Sequence, residues 1–443
     1  MSVTFPEALH PLVQHVQTHV YVRPALAIEA ARQLLRQCRL PEHLAYVYEQ
    51  LGFAHLILGE HRLSCLFYEQ ARALQPDNMY VLANLAHARY ELGEREEAVQ
   101  IGREALRLKD ELACREAGPL NGLLEPPHHG PINLISFSLY GHQPRYGEMA
   151  VLNVLAARRH LPDFVCRFYL DDSVPPALVN RLQHLGAQCV HVGAEGASVP
   201  ATFWRFGAMD DSQADCVLVR DVDALIDARE AWCVQDWRQS GLPLHIIRDD
   251  CCHTELILAG LLGIRSGVLR GMAARIAQYL MAAGEAGHGR YADQLFLRHA
   301  VWPALRNHAL THDTVYGYGS QVHALDHPPK TGQGPRNSFI GANHASCRIQ
   351  CQLQQPLPPG ALLHLTVRSA SGELICRHAM QQVRSDKLSP SSLVTEWDIH
   401  LPLIYAPALQ SGQWTYDITL QAEGLAGLGE GSIDPLLLGI DPG

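Results

Sequence analysis

Lysine is nearly absent from the sequence, which contains only Lys109, Lys330 and Lys387 among 443 residues, so arginine supplies almost all of the positive charge. Acidic residues outnumber basic ones and give a formal net charge of -10. Proteins that bind nucleic acid usually present a basic surface to the phosphate backbone. A nucleic-acid partner is therefore not expected.

Long apolar runs are missing as well. No stretch reaches the roughly 18 residues that a membrane-spanning helix requires, and residues 1–7 contain neither a basic leader nor an apolar core. We therefore expect neither a transmembrane segment nor a secretory signal peptide, and we expect a cytoplasmic protein.

The twelve cysteines are scattered along the chain and form no compact disulfide framework, which fits reduced thiols. Cys347 and Cys351 have a spacing that suits a metal pair, but no second pair of matching spacing follows. We interpret these two as strand residues. We interpret Cys251 and Cys252 as packing thiols rather than zinc ligands.

Residues 1–118 are predicted to form helical repeats. Apolar residues recur at three- and four-residue spacing, and Gly59-Glu60 recurs 34 residues later as Gly93-Glu94. Residues 45–78 resemble the tetratricopeptide repeat, which has bulky, small, aromatic and helix-ending residues at fixed positions. The matching residues are Tyr48, Leu51, Gly52, Ser64, Tyr68, Ala71 and Pro76.

The repeat resemblance implies stacked helical hairpins whose concave surface receives a peptide or a protein partner. A degenerate unit is expected before this one, near residues 24–40, and the unit after it lacks the closing proline. The alternative is that so short an array packs against the next domain or dimerises, and both readings stay open.

The composition changes twice after the repeats. Glycine, proline and histidine cluster in residues 119–131, which predicts a linker. Strands alternate with helices over residues 132–342, which predicts a parallel, doubly wound α/β sheet with a ligand crevice at the carboxyl ends of its strands. Residues 343–443 predict a small all-β, sandwich-like domain. There, Trp397 and Trp414 are either core residues or stacking platforms for a glycan.

Two phosphate-binding motifs are absent from the α/β segment. No GxGxxG follows its first strand and GxxxxGK[ST] does not occur, which removes the main support for dinucleotide and P-loop readings. The segment does contain Asp221-Val222-Asp223 at the end of an apolar run, residues 217–219, that is typical of a buried strand. The two aspartates project to the same side of an extended segment, so they can hold a hard divalent cation that in turn binds a diphosphate.

Several segments around this pair resemble, in order, the landmarks of bacterial GT-A glycosyltransferases of the DxD type. The resemblance covers residues 131–341. The segments are SFSLYG (136–141), RFYLD (167–171), FWRF (203–206), VRDVD (219–223), ARE (228–230), Trp237, HIIRD (245–249), GLLG (260–263) and YADQLF (291–296).

The GT-A resemblance implies transfer of a sugar from a nucleotide-sugar donor, with a UDP-sugar expected, to a protein, peptide or glycan acceptor. Asp223, and more loosely Asp221, would hold Mn²⁺ or Mg²⁺ against the diphosphate, and His312 would complete the metal shell. The chemistry itself favours such an ion, because negative charge develops on the leaving nucleoside diphosphate. The donor-binding candidates are Ser138, Tyr140, Asp171, Trp204, Arg205, Arg220 and Asp221.

Three of these donor-binding candidates have structural alternatives. Arg205 and Arg220 match phosphate oxygens bidentately, but each arginine can equally pair with a nearby carboxylate such as Glu230. Asp171 either contacts the base or ribose of the nucleotide, or caps the helix that begins near Val174.

Asp293 and Asp249 are the catalytic candidates. Asp293 begins a predicted helix, residues 294–302, where the helix dipole alone favours an acidic residue. In GT-A enzymes an acidic residue at the corresponding position often faces the acceptor hydroxyl, so we assign Asp293 as general base or acceptor ligand. Asp249 follows a predicted strand, residues 244–248, and would overlook the same crevice. Asp250 stands where the family has histidine, so no role is carried over to it.

An Asp-x-Asp strand end also occurs in another functional class. Haloacid-dehalogenase-type phosphatases also use an Asp-x-Asp strand end, but no lysine lies between Asp223 and Lys330 to balance the charge. This class is discounted. Two others stay open: a cell-surface polysaccharide glycosyltransferase that uses the repeats for assembly, and a non-catalytic scaffold that binds a nucleotide sugar.

Overall fold

The computed structural model describes residues 3–21, 23–117, 124–193, 198–325 and 339–342, together with the backbone of five strands between residues 347 and 421. Residues 118–123, which include residues 119–123 of the predicted linker, lie outside the described residues. The chain divides into two compact units. The first unit comprises Met1–Leu134, Phe206–Val219 and Trp232–Pro328, and the second comprises Ile135–Arg205, Arg220–Ala231 and Pro329–Gly443. The domain boundaries predicted from the sequence stay a prediction.

Helices build the amino-terminal region of the first unit, and each packs against the next in sequence. They are α1 (His10–His19), α2 (Pro24–Gln37), α3 (Pro41–Ile57), α4 (His61–Leu74), α5 (Met79–Glu91) and α6 (Arg95–Arg115). Gly59 and Gly93 follow α3 and α5 with φ values of 71° and 84°, which glycine adopts without strain. The predicted helical region is confirmed, while its assignment to the tetratricopeptide repeat stays a prediction.

The hairpin of α3 and α4 and the hairpin of α5 and α6 differ in which tyrosine packs against a glycine of the hairpin. The buried ring of Tyr68 lies so close to Gly52 that a Cβ there would be 2.9 Å from it, and Ser64 Oγ donates a hydrogen bond to the Gly52 carbonyl at 2.9 Å. Gly102 stands 34 residues after Tyr68. Tyr316 fills the space beside it, and a Cβ on Gly102 would lie 2.1 Å from that ring. The hairpin of α3 and α4 therefore contains its own aromatic ring, that of Tyr68. The hairpin of α5 and α6 instead packs against the ring of Tyr316, which comes from later in the chain.

A cluster of buried charges, called here the charge cluster, joins α6 to later residues of the first unit. Lys109 Nζ lies 3.3 Å from a carboxylate oxygen of Glu255 and donates a hydrogen bond to the Thr254 carbonyl at 2.6 Å. Arg298 Nε donates to the other oxygen of Glu255 at 2.9 Å. Burial would raise the pKa of Glu255, but the two positive charges outweigh it and lower the pKa to about 2.

The α/β region contains a sheet of eight strands. They are β1 (Ile132–Leu139), β2 (Phe164–Leu170), β3 (Gln188–His191), β4 (Ala214–Arg220), β5 (Leu244–Arg248), β6 (Leu261–Arg265), β7 (Ala309–Asp313) and β8 (Gln321–His323). Their order is β3-β2-β1-β4-β6-β5-β7-β8. The helices are α7 (Pro144–His160), α8 (Pro176–His184), α9 (Ala228–Ser240), α10 (Met272–Ala283), α11 (Ala292–Phe296) and α12 (Trp302–Leu305), with a 3₁₀ segment at Ala201–Asp210. The predicted α/β class is confirmed.

One detail of the α/β prediction is wrong. The sheet is mixed rather than parallel, because β6 pairs antiparallel with β5; residues 249–260 form no crossover helix, which a parallel return normally requires. The predicted helix over residues 294–302 does form, and it contains a π-helical turn at Leu297–Val301 between α11 and α12. Pro303 at the start of α12 supplies no backbone N–H, which explains why regular hydrogen bonding stops there.

Five antiparallel strands follow in the second unit with the order β13-β10-β11-β12-β9. They are β9 (Cys347–Leu353), β10 (Leu362–Ser369), β11 (Leu374–Ser389), β12 (Ser392–Ile399) and β13 (Trp414–Gln421). The side chains of Cys347, Cys351, Trp397 and Trp414 lie outside the described part, and the sandwich-like domain stays a prediction. Across the described residues, no helix is both long and apolar enough to span a bilayer.

Candidate functional site

A cavity of about 130 Å³ lies in the second unit, where β1 and β4 end. We call it the aspartate cavity. In the same unit, the buried rings of Phe137 and Phe168 stack with centroids 4.9 Å apart and hold β1 against β2. Its polar lining residues are Ser138, Tyr140, Tyr146, Thr202, Arg205, Asp221 and Asp223. The sequence predicts five of these seven, whereas Tyr146 and Thr202 belong to no motif that would have singled them out.

Arg205 is fixed in the wall of the cavity. Its side chain is 4% exposed, and Nη1 donates to the Arg220 carbonyl at 3.0 Å and to a carboxylate oxygen of Asp221. Its backbone is held by two serines of β1, since Ser136 Oγ donates to the Arg205 carbonyl at 2.7 Å and the Arg205 N–H donates to Ser138 Oγ at 3.2 Å. The guanidinium head is therefore positioned before any ligand arrives.

Asp221 differs from Arg205 in being accessible, because half of its side chain is exposed. Desolvation would raise the pKa of Asp221, but the adjacent Arg205 charge and hydrogen bond lower it. The carboxylate is therefore ionised at neutral pH, as coordination of a metal ion requires.

Asn153 holds the loop that carries both aspartates, and no feature of the sequence singles it out. This fully buried residue of α7 donates a hydrogen bond from Nδ2 to the Val222 carbonyl at 3.0 Å. Its Oδ1 accepts one from the Ile226 N–H at 3.2 Å. Because both bonds go to backbone atoms, one side chain fixes the path of the loop between the end of β4 and α9.

Arg220 pairs with the carboxylate of Glu230, which is the structural alternative to donor binding that the sequence leaves open. Its guanidinium lies 3.0 Å from the Glu230 carboxylate, and both side chains are buried. Burial raises the pKa of Glu230 to about 7, with Arg220 opposing that effect. A donor-binding role for Arg220 stays a prediction.

The remaining donor-side candidates lie around the loop that follows β1. Tyr140 and Trp204 meet edge to face with ring centroids 6.0 Å apart. Asp171 Oδ1 accepts hydrogen bonds from the backbone N–H and the hydroxyl of Ser173, and Ser173 Oγ accepts one from the Gly141 N–H at 2.6 Å. Asp171 thus braces the turn after Tyr140. Its role toward a nucleotide stays a prediction.

The two catalytic candidates belong to the first unit. Asp249 is 1% exposed, and its carboxylate accepts a hydrogen bond from Thr314 Oγ1 at 3.3 Å. Asp293 lies in the first turn of α11, is 6% exposed, and accepts a hydrogen bond from the Gln294 N–H at 2.9 Å. Their proposed roles toward the acceptor stay predictions.

His312 also lies in the first unit, in β7, and is fully buried. Its Nε2 is 3.1 Å from Asp236, which also contacts His323 Nδ1 at 2.6 Å, and its Nδ1 is 2.9 Å from His245 Nε2. Burial lowers the pKa of His312 to about 4 despite Asp236, so the ring is neutral at pH 7. The predicted role of His312 in the metal shell stays a prediction.

Comparison with known proteins leaves the family open. No protein-family model and no curated protein matches the chain. Matching solved structures include a mutant O-GlcNAc transferase from Thermobaculum terrenum, with 18% identity over 43% of this chain and 42% of that chain and a TM-score of 0.24. Another is the mannosyltransferase PcManGT from Pyrobaculum calidifontis in complex with GDP-Man and Mn²⁺, with 13% identity over 53% of this chain and 70% of that chain and a TM-score of 0.28.

Both matched proteins are glycosyltransferases. The chain spans less than half the length of the matched O-GlcNAc transferase. Identities and TM-scores this low assign no activity. The functional proposal therefore rests on the residues around the aspartate cavity.

Proposed function

We propose that the chain is a metal-dependent glycosyltransferase that moves a sugar from a nucleotide-sugar donor, with a UDP-sugar expected, to a protein, peptide or glycan acceptor. The observation that carries the proposal is the convergence of Asp221, Asp223 and Arg205 on one cavity at the ends of β1 and β4. A carboxylate pair binds a divalent cation, and a guanidinium beside it matches phosphate oxygens. Together they suit a metal-bound diphosphate.

The donor atoms around the cavity fit Mn²⁺ or Mg²⁺. They are carboxylate and hydroxyl oxygens, and no cysteine or histidine is among the described residues that line it. Hard cations prefer this set, whereas zinc favours nitrogen and sulfur. We assign Asp223 as the leading ligand, because Asp221 already shares a carboxylate oxygen with Arg205.

The chemistry proposed for the site is electrostatic. A bound cation would neutralise charge on the leaving diphosphate. Arg205 adds a second positive charge whose position is set by the Arg220 carbonyl and by Asp221. Asn153 holds the loop backbone between them and α9. Groups that are fixed beforehand need little reorganisation during the reaction, which is the main source of electrostatic catalysis.

The cavity accounts for part of the donor only. Its volume of about 130 Å³ is below the roughly 300 Å³ at which pockets for larger ligands begin. We therefore place the metal and the phosphates there, with Tyr140, Trp204 and Asp171 toward the rest of the nucleotide. Asp293, and as a second choice Asp249, is proposed to face the acceptor hydroxyl.

The test is hydrolysis and transfer from common nucleotide sugars, measured with and without Mn²⁺. Asp223→Ala is expected to lower the metal-dependent rate at least about 100-fold, because several kcal/mol of charge stabilisation are lost. The matched control is Asp172→Ala, which removes a fully exposed aspartate after β2 and should leave the rate unchanged. Full activity of Asp223→Ala would refute the metal site. Tight nucleotide-sugar binding without turnover of any donor would instead favour the scaffold reading.

Acceptor class needs a separate experiment on the full chain. Removing the helical region is unsuitable, because α6 contributes Lys109 to the charge cluster and Gly102 to the contact with Tyr316. Glutamate substitutions at the exposed residues Ile57 and Leu66 perturb the surface alone. A peptide acceptor predicts reduced transfer with unchanged donor hydrolysis. Unchanged transfer to a glycan acceptor supports the polysaccharide alternative, with the repeats used for assembly.

A further inference from the structure

A second group of possible metal ligands lies entirely within the first unit, apart from the residues used in the proposed function. His87 and Glu91 are four residues apart on α5, so they share one face of the helix. Cys251 lies in the segment that follows β5 and is buried. One ligand atom from each of these three residues lies within 4.8 Å of the others.

The backbone around Cys251 is held in place. Tyr316 donates a hydrogen bond from its hydroxyl to the Cys251 carbonyl, and the same ring packs against Gly102 of α6. Asp250, which precedes Cys251, closes a turn around it. The Cys252 N–H donates to Asp250 Oδ1 at 3.0 Å, and the His253 N–H donates to the Asp250 carbonyl at 3.0 Å. The thiol is therefore presented toward α5 by a fixed turn.

The spacing at the sulfur suits coordination better than hydrogen bonding. Cys251 Sγ is 3.5 Å from Glu91 Oε1 and 3.4 Å from Asp250 Oδ1. A single S–H is a weak donor and cannot point at both carboxylates. A sulfur and an oxygen bound to one tetrahedral zinc, with bonds of about 2.3 and 2.0 Å, lie about 3.5 Å apart. The observed distances match that separation.

The donor types identify the class of ion. Thiolate, imidazole and carboxylate are the ligands that zinc takes in proteins, while Mg²⁺, Mn²⁺ and Ca²⁺ favour oxygen. We infer that His87, Glu91 and Cys251 form a three-residue zinc site that leaves the fourth position to solvent. As the zinc–sulfur bond forms, the Cys251 proton leaves to solvent. The ion would link α5 to the segment after β5, and this inference does not depend on the glycosyltransferase proposal.

The probe is Co²⁺ added to the metal-free full chain, because a cobalt–thiolate bond gives a charge-transfer absorption that oxygen and nitrogen ligands do not. One equivalent is expected to bind with this band, and Zn²⁺ should abolish it by displacement. Cys251→Ser should remove the band and weaken Zn²⁺ binding at least about 100-fold. Cys252→Ser changes the exposed neighbouring thiol and should leave both unchanged.

Two further variants keep the test decisive if Cys251→Ser does not fold. Glu91→Gln alters an exposed ligand and His87→Gln a part-buried one, and each should weaken Zn²⁺ binding at least about tenfold. Asp223→Ala should keep the cobalt band, which separates this site from the aspartate cavity. Absence of the band in the wild-type protein, or its persistence in Cys251→Ser, overturns the zinc site and returns Cys251 to a packing thiol.

Discussion

The aspartate cavity and the charge cluster both join an arginine to a carboxylate, yet they differ in what surrounds the pair. Arg205 is enclosed while half of Asp221 is exposed. In the charge cluster, Glu255, Lys109 and Arg298 are all at most about one-tenth exposed. A pair with one accessible partner can accept a ligand, whereas an enclosed group of charges can only hold the fold together. The same chemistry is therefore proposed to serve ligand binding in one unit and stability in the other.

Glu255→Gln tests the stabilising half of this comparison and carries the largest expected effect. It leaves Lys109 and Arg298 buried without a compensating charge, which costs about 3–5 kcal/mol of unfolding free energy. The matched control is Glu111→Gln, because Glu111 pairs with Arg107 on the exposed face of α6 and such pairs contribute about 0–1 kcal/mol. Denaturant unfolding measures both, and equal losses would contradict the distinction.

The loss of stability at acidic pH is a second test of the role of Glu255 in the charge cluster. The pKa of Glu255 is lowered from 4.5 to about 2 in the folded chain, so the unfolded chain binds the proton more readily. The stabilisation is complete above pH 4.5 and is lost as the pH falls toward 2. Unfolding measured across this window should show a steeper loss for the wild type than for Glu255→Gln. Parallel curves would mean that Glu255 is not the responsible group.

Gly102→Ala tests the contact between α6 and Tyr316. The added Cβ would overlap the ring, so we expect a loss of about 1–3 kcal/mol from overpacking. Gly193→Ala is the matched control, because nothing lies within 4 Å of a Cβ at that position. Tyr316→Ala should remove most of the additional cost of Gly102→Ala in a double-mutant cycle. Thermal unfolding measures each variant, and additive losses would show that the two residues are not coupled.

Asn153→Ala has the smallest expected effect and tests the binding half of the comparison. It frees the backbone of Val222 and Ile226 without removing a carboxylate from the aspartate cavity. Outer-shell groups of this kind change metal affinity by about 10–100-fold, and we expect the lower end. Titration of Mn²⁺ with UDP present measures it. Asn180→Ala, on the exposed surface of α8, is the control. Unchanged affinity in Asn153→Ala would show that the loop keeps its path without this brace.

Features set by neighbouring residues could be predicted from the sequence, whereas contacts between residues far apart in the chain could not. Asp221 and Asp223 stand beside an apolar strand run, and Gly59 and Gly93 mark helix ends directly, so neighbouring residues suffice to identify them. Asn153 is an ordinary polar residue of a helix until the fold brings Val222 to it. Glu255 likewise meets Lys109 only across a separation of 146 residues. The antiparallel β6 escaped prediction because strand direction depends on the connection, not on composition.

The contact between Gly102 and Tyr316 has a consequence for protein engineering. The 34-residue period makes the two hairpins look like interchangeable parts, since Tyr68 and Gly102 occupy equivalent positions. Copying the first hairpin over the second would place a tyrosine ring where Tyr316 already sits. The two copies are therefore specialised, and modules grafted onto this α/β region need a glycine at that position in their last helix.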